Sequence, residues 1–248
     1  MILRQLLGAL FLATLAIMPA SARDLTVAAG ESFRSVFTEL AARYEKQTGV
    51  KVVFRFGPSS ALAKQVSAGG VDIVACALSW ADRLEQAGKL DPANRKTFLS
   101  DHLILVAPAS SHVTWTPGTE LEPLLAGGSL AIADPQSSQT GQYSRSALAS
   151  LGLWDSVQAH LLKTENIRDA LAAVADGRAA LGLVYQTDLQ NQAAVRVVGR
   201  LPDSSHPPIA YSFALTHDAR PDAIGFLTFL ESDAARAAYD RAGFEVRS

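Results

Sequence analysis

Residues 25–33 read LTVAAGESF, an apolar run that ends in small residues and passes into a serine. Apolar residues then recur at helical spacing, at Phe33, Val36 and Phe37, so the stretch predicts a short β-strand followed directly by a helix. Ser32 would lie at the N-cap of that helix, beside unpaired backbone N–H groups at its positive end. Such a helix start can bind an anion, although capping serines are also common in ordinary helices.

The rest of the chain alternates strand and helix patterns in the same way. Further strands are predicted over residues 50–56, 71–77, 102–108, 129–134, 181–185, 195–201 and 209–216. Helices are predicted over residues 32–48, 61–68, 80–86, 92–98, 120–125, 140–151, 166–176, 221–231 and 233–242. This alternation is typical of α/β proteins in which helices connect parallel strands.

Three more helix starts resemble the first one. Ser59 and Ser60 follow the second strand, Thr140 opens a helix after a strand, and Ile167 opens another. Open α/β sheets bind ligands beyond the carboxyl ends of their strands, where these residues would gather. Tyr185 ends an apolar strand and offers a phenolic donor, although a tyrosine in the core is equally consistent with the pattern.

The N-terminus has the pattern of a secretory signal peptide. Residues 1–22 carry one charge, Arg4, then an apolar run over 6–18 and a small-residue site that ends at Ala22. The run is shorter than the ~20 residues that cross a membrane, which disfavours the alternative of a transmembrane anchor. We therefore predict export to the periplasm.

The composition excludes several classes of protein. The net charge of −2 and the scattered basic residues argue against a nucleic-acid surface. The chain has one cysteine, Cys76, so it forms no internal disulfide, and its apolar surroundings predict a buried thiol.

No catalytic motif is present in the sequence. The five histidines are widely spaced, and there is no His-Glu-x-x-His, Gly-x-Ser-x-Gly or phosphate-binding Gly-Lys-Ser motif. The chain is therefore predicted not to be an enzyme, with an exported hydrolase as the enzymatic alternative. The histidines are His102, His112, His160, His206 and His217.

Several motifs occur together along the chain. They are residues 25–32, Phe56-x-x-Ser59-Ser60, residues 103–108, Asp134-Pro135 with Gly141-x-Tyr143, Ile167-Arg168, and residues 181–185 with Asp188. In combination they resemble the periplasmic molybdate-binding proteins of ABC transporters, which belong to the type II periplasmic solute-binding proteins. The resemblance extends over the whole chain after residue 22.

The resemblance implies a two-lobed α/β fold. Each lobe would contain a mostly parallel sheet flanked by helices, and crossing hinge strands would join the lobes. Residues 1–22 would be the signal peptide, residues 23–104 and 206–248 lobe I, and residues 105–205 lobe II. The lobes would close on a ligand held between them.

The resemblance also implies a site that uses no cofactor. In the family, two serine hydroxyls, backbone amides and one tyrosine hydroxyl hold the oxyanion. The matching positions are Ser32 and Ser59 on lobe I, and Thr140, Ile167 and Tyr185 on lobe II. These residues would contact the oxygen atoms of molybdate or tungstate, and none would be a direct ligand of the metal.

The implied partners are one small oxyanion and the membrane permease of an ABC transporter with its ATPase. The protein would act as a monomer and would bind no nucleic acid. Two alternatives remain open at this point: a binding protein for a different anion, and a sensory or adhesion module on the same fold.

Three positions depart from the family pattern. Glu31 replaces a small residue, Leu78 stands where aspartate is frequent, and Thr140 stands where alanine is usual. A carboxylate at Glu31 would repel a bound dianion if it faced the ligand. We expect it to point to solvent, as an acidic residue at a helix N-terminus, and we expect Thr140 to act through its amide.

Overall fold

The computed structural model describes residues 24–190 and 192–247, in which we find eleven strands and eight helices. The predicted signal peptide, residues 1–22, lies outside the described residues. Within these described ranges, no helix is both long enough and apolar enough to span a membrane.

The strands and helices alternate along most of the described chain. The strands are β1 Leu25–Ala29, β2 Val52–Phe56, β3 Ile73–Ala77, β4 Leu90–Ser100, β5 Leu103–Pro108, β6 Leu130–Ala133, β7 Leu161–Thr164, β8 Leu181–Tyr185, β9 Val195–Arg200, β10 Ala210–Thr216 and β11 Glu245–Val246. The helices are α1 Arg34–Thr48, α2 Ser59–Ala68, α3 Leu78–Gln86, α4 Gln139–Ser150, α5 Trp154–Val157, α6 Ile167–Ala175, α7 Ala223–Leu230 and α8 Asp233–Arg241.

The strands form two sheets, which we call sheet A and sheet B. Sheet A has the order β11-β4-β10-β3-β1-β2, and sheet B has the order β7-β6-β8-β5-β9. The predicted α/β class with two sheets is confirmed. The sheets are mixed, however, because β10 in sheet A and β5 in sheet B run antiparallel to both of their neighbours.

Two connections join the sheets. The chain leaves sheet A after β4 and enters sheet B at β5, and it returns from β9 to β10 through a 3-10 turn over Asp203–Ser205. The amide of Asp101 in the first connection donates to the carbonyl of Ile209 in the second at 2.9 Å. The two connections are therefore bonded to each other.

An aromatic cluster fixes the start of α1 against sheet A. The ring of Phe33, fully buried, lies 4.8 Å from that of Phe37, 4.9 Å from Tyr211 and 5.0 Å from Phe244. Burial of large apolar side chains drives this packing, at about 25 cal/mol for each Å² removed from water. The cluster holds the turn that precedes α1 over the end of β1.

One predicted helix is a strand. Residues 92–98 lie within β4, which pairs with β10 on one side and β11 on the other. Tertiary pairing overrides the local helical pattern here, and Arg95 secures the strand by ion pairs to Asp82 and Glu85 on α3. The short strands β7 and β11 were not predicted, since each lies at a sheet edge and lacks an alternating pattern.

Cys76 lies in β3 and is buried, as predicted. Burial raises the pKa of its thiol to about 12, although Arg95 opposes the rise. The thiol is therefore protonated and unreactive at neutral pH.

Gly141 allows the start of α4 to approach the end of β6. A Cβ atom at this position would meet the carbonyl oxygen of Ala133 and would lie 2.6 Å from backbone atoms of Asp134 and Pro135. We expect Gly141→Ala to lower the free energy of unfolding by about 1–3 kcal/mol, because a backbone cannot yield as a side chain can. Urea unfolding followed by circular dichroism measures this.

Gly57→Ala is the matched control. A Cβ atom there would meet only Leu62 and Ala61, at 3.9 Å and 4.0 Å. The control should unfold at nearly the wild-type urea concentration. Equal destabilisation of both variants would contradict the close approach at Gly141.

Candidate functional site

The first predicted helix start is built differently from the prediction. Gly30 holds the N-cap position, and a 3-10 turn over Glu31–Phe33 precedes α1. The prediction that Ser32 is the N-cap is wrong, because Gly30 bonds through its amide to a carbonyl of β3 at 3.0 Å, and the turn starts there. The Ser32 side chain makes no cap hydrogen bond, so its hydroxyl is not committed to capping the turn.

Ser59 is the first residue of α2, which begins shortly after the end of β2. Pro58 is the N-cap, and the first intrahelical bond runs from Ala61 to the carbonyl of Pro58 at 2.9 Å. The amides of Ser59 and Ser60 come before that bond, so they are the unpaired donors of this helix start. The Ser59 hydroxyl accepts from the amide of Ala77 at 3.4 Å.

Tyr185 is buried at the end of β8. Burial raises its pKa well above the ordinary value, and the nearby Thr140 side chain opposes the rise. The phenol therefore keeps its proton at neutral pH and can donate a hydrogen bond. The expectation that Thr140 acts through its amide stays a prediction.

Ile167 begins α6 and contributes backbone to this region. Its side chain is half-buried and packs against the core of sheet B. Asn166 caps the helix by accepting from the amide of Asp169 at 3.0 Å. The amide of Ile167 precedes that bonded position and is one of the unpaired donors of the helix start.

Two contacts connect the helices of sheet B to the helices of sheet A. Gln139 donates to the hydroxyl of Ser79 at 3.0 Å, and Arg168 donates to the carbonyl of Glu31 at 3.3 Å. Gln139 was not singled out from the sequence, and Arg168 was noted only as part of a motif, since nothing in a polar residue near a helix start indicates its partner. The contacts show that the helix starts of the two sheets face each other.

Glu31 is paired rather than simply directed to solvent. Its carboxylate accepts three bonds from Arg34, at 2.8 Å, 2.9 Å and 3.0 Å, and lies 3.6 Å from Arg168. The side chain is 33% exposed. Two guanidinium groups therefore offset the negative charge that this chain carries beside the first helix start.

A cavity of about 470 Å³ opens beside Ser32. Its charged lining consists of Glu31, Arg34, Arg168 and Asp188, so positive and negative charges balance. These four groups together give the cavity no net positive charge.

Two carboxyl groups, one buried and one in the cavity lining, have raised pKa values. Asp101 is 3% exposed, and burial raises its pKa to about 7 against the opposing hydrogen bond from Thr187. Burial likewise raises the pKa of Asp188 to about 6, against an opposing hydrogen bond from the amide of Tyr185. In the sequence Asp188 was noted only as part of a motif and Asp101 was not noted, because an aspartate in a sequence gives no sign of its surroundings.

A second charged cluster joins the two connections between the sheets. The ring of His102 places Nδ1 3.1 Å from Asp203 and Nε2 3.5 Å from Glu245. The two ring nitrogens face different carboxylates, so each already has a partner. These contacts link both connections to β11.

The chain was compared with known proteins. Residues 25–245 match the family model of bacterial extracellular solute-binding proteins. The molybdate-binding protein ModA of Escherichia coli (strain K12) is 33% identical over 229 residues, which cover 90% of this chain and 89% of that protein. The protein of the same name from Haemophilus influenzae is 34% identical over 252 residues, with 99% of each chain covered.

The chain belongs to the bacterial extracellular solute-binding proteins.

Solved structures support the fold of this solute-binding protein. The periplasmic molybdate-binding protein of Azotobacter vinelandii has a TM-score of 0.74 and 24% identity, covering 91% of this chain and 100% of that one. The sulfate-binding protein SubI from Mycobacterium tuberculosis H37Rv has a TM-score of 0.68 and 18% identity, covering 90% and 86%. At this identity the structures establish the shared fold alone.

The buried carboxyl of Asp101 should make stability depend on pH. Because its pKa is raised to about 7 in the folded protein, the native state holds the proton more tightly than the unfolded state between pH 4 and 7. The contribution of Asp101 is thus most favourable below pH 4 and is lost as pH rises to 7. We expect Asp101→Asn to gain stability relative to wild type across that range, by roughly 4 kcal/mol at most.

Urea unfolding of both proteins at pH 4.5, 6 and 8 measures the difference. Asp188→Asn is the control, and its gain should be smaller because the pKa of Asp188 is raised only to about 6. A difference between Asp101→Asn and wild type that stays constant with pH would contradict the raised pKa.

Proposed function

We propose that this solute-binding protein captures molybdate, and also tungstate, in the periplasm and delivers it to the permease and ATPase of an ABC transporter. The observation that carries the proposal is the identity above 30% to two ModA proteins, one of them over 99% of both chains. The protein would act as a monomer, exported by a signal peptide over residues 1–22 and working without a cofactor or catalysis.

The proposed site lies between two lobes. Lobe I would comprise residues 23–104 and 206–248, and lobe II residues 105–205. The division is supported by the strands, since sheet A is drawn from both ends of the described chain and sheet B from its middle. Closure would bring the helix starts of both lobes onto one anion.

The proposed ligands of the oxyanion are Ser32, Ser59, Thr140, Ile167 and Tyr185. Four of them stand in or at the first turn of a helical segment, and burial raises the pKa of Tyr185, so that its phenol keeps its proton and can donate. Each hydrogen bond to a charged group contributes about 1.5–3 kcal/mol, so a handful of donors is sufficient for tight binding without a cationic side chain.

Donors alone also select the protonation state of the ligand. A fully deprotonated tetrahedral dianion places acceptors at every donor, whereas hydrogen phosphate brings a proton that needs an acceptor. Sulfate is the alternative ligand of the same charge, and the fold of this chain is similar to that of a sulfate-binding protein. The two dianions differ in size, so affinity measurements distinguish them.

Calorimetric titration tests the proposed function. We expect the protein without residues 1–22 to bind one molybdate or tungstate per chain far more tightly than sulfate or phosphate. Tight binding of sulfate with no heat from molybdate would overturn the proposal in favour of a sulfate carrier. A folded protein that binds none of the four anions would overturn the proposed function in oxyanion transport.

Substitution of the two serines tests the proposed ligands. Ser32→Ala and Ser59→Ala each remove a hydroxyl donor to a charged ligand, so molybdate affinity should fall about tenfold to a hundredfold. The measurement is calorimetric titration, with thermal unfolding as a check on folding.

Ser67→Ala is the matched control, because Ser67 lies on the same helix as Ser59 and its hydroxyl donates to the carbonyl of Ala63 at 2.9 Å. It should bind molybdate as wild type does. Wild-type affinity in either site variant would remove that serine from the site.

A further inference from the structure

Two contacts bridge the cleft between the helix starts of sheet A and those of sheet B. In the first, Arg168 donates to the carbonyl of Glu31 at 3.3 Å, and its guanidinium group lies 3.6 Å from the Glu31 carboxylate. In the second, Gln139 donates to the hydroxyl of Ser79 at 3.0 Å. The partners are 137 and 60 residues apart in the chain, so the arrangement of the two sheets brings them together.

The four bridging residues are close neighbours in sequence of the proposed ligands of the anion. Ser79 closely follows Ala77, whose amide donates to the hydroxyl of Ser59 at 3.4 Å. The other three are each adjacent to a proposed ligand, in the pairs Glu31 with Ser32, Gln139 with Thr140, and Arg168 with Ile167. A movement that separates the two sheets would therefore break the bridging contacts and the contacts of a bound anion together.

The Glu31 carboxylate is held in place from its own side of the cleft. Arg34 donates three hydrogen bonds to it, at 2.8 Å, 2.9 Å and 3.0 Å. The guanidinium group of Arg34 lies in turn over the ring of Phe56, 4.3 Å from the ring centre. None of these contacts involves Arg168, so the carboxylate would keep its position when the sheets move apart. Little side-chain entropy of Glu31 is then lost when Arg168 meets it.

Gln139 is also held from its own side. Its side-chain amide donates to the hydroxyl of Tyr143, one turn further along α4, at 2.8 Å. Tyr143 is partly buried and packs against the core. The contact from Gln139 to Ser79 is uncharged, whereas the contact from Arg168 to Glu31 is charged and is weakened by salt.

We propose that Arg168 and Glu31 form a latch between the two lobes, which is made when the lobes close and sets how long the anion stays bound. Gln139 and Ser79 are the uncharged part of the same latch. This inference rests on the proposed function, because it concerns the same site. It gives Glu31, where the chain departs from the family pattern, a positioning role without contact to the anion.

Such a latch acts on the release of the anion more than on its capture. An arriving anion meets lobes that are apart and a latch that is not yet made, whereas the latch must break before the anion leaves. The charged pair is partly exposed, with 55% of the Arg168 side chain and 33% of the Glu31 side chain accessible. Its loss should therefore speed release only about two- to fivefold.

The charges of Glu31 and Arg168 also act on a dianion through space, whether or not they touch each other. Glu31 repels it and Arg168 attracts it. Such separate effects add when both charges are removed, while a direct contact makes the effect of one substitution depend on the other. A double-mutant cycle therefore isolates the latch from the two separate charges.

The experiment is stopped-flow tryptophan fluorescence of the protein mixed with sodium molybdate, which measures the association and dissociation rates. Trp80 is the reporter, because it is partly buried at the start of α3 beside Ser79. Calorimetric titration gives the Kd as a check on the ratio of the rates. The cycle consists of wild type, Glu31→Gln, Arg168→Gln and the double variant, and Ser79→Ala tests the uncharged contact.

We expect Arg168→Gln to release molybdate faster than wild type and to have a smaller effect in the Glu31→Gln background. The interaction between the two substitutions should be about two- to fivefold in the dissociation rate and should shrink in about 0.5 M NaCl. Ser79→Ala should release molybdate about twofold to tenfold faster, with an unchanged association rate.

Two control variants match these substitutions. Arg43→Gln removes the same charge as Arg168→Gln, but Arg43 pairs with Glu39 on its own helix. Ser35→Ala matches Ser79→Ala, because Ser35 lines the cavity beside Ser32 and its hydroxyl makes no hydrogen bond to another described residue. Both controls should release molybdate at the wild-type rate.

The outcomes separate this inference from the proposed function. Tight molybdate binding with additive effects of the Glu31 and Arg168 substitutions, or with wild-type release in Ser79→Ala, overturns the inference alone. A larger effect of Arg168→Gln in the Glu31→Gln background assigns Arg168 to the anion itself and also overturns it. A folded wild type that gives no heat with molybdate overturns both. Because the charged and uncharged contacts are tested by separate variants, a variant that fails to fold leaves the other measurement in force.

Discussion

The buried carboxyl of Asp101 is the interaction on which the arrangement of the two sheets depends. Through its backbone it bonds to the second connection at Ile209, and through its side chain to Thr187 and Tyr211. Asp101 thus links the connection from β4 to β5, the turn after β8 and strand β10. Burying a carboxyl group without hydrogen-bond partners would cost free energy. The donors must therefore lie next to the Asp101 carboxyl.

Charge and hydrogen bonding have separate roles around the cleft. The guanidinium groups of Arg34 and Arg168 offset the negative charge of Glu31. The carboxylate that departs from the family pattern is therefore part of a contact between the helix starts of the two sheets. Exposed ion pairs of this kind contribute little to stability, and in the proposed site recognition is left to the amides and hydroxyls at the helix starts.

The sequence predicted the class of fold, most strands and most helices, because those features follow from local periodicity. It misassigned residues 92–98, where pairing with β10 decides the structure, and it missed β7 and β11 at the sheet edges. For the site, helix starts were visible in the pattern, and the family resemblance supplied the ligand set. The contacts of Asp101, Tyr211 and Arg168 were not visible, because their partners are distant in the chain.

The position of β10 imposes an order on folding. This strand lies in the middle of sheet A, between β3 and β4, yet it follows every strand of sheet B along the chain. Sheet B is continuous in sequence. The first four strands, by contrast, can complete sheet A only after β10 has been synthesised much later. Contacts between residues that are distant in the chain form slowly. For a chain that crosses a membrane before it folds, this delay is favourable, because its N-terminal half cannot form a complete sheet before the crossing.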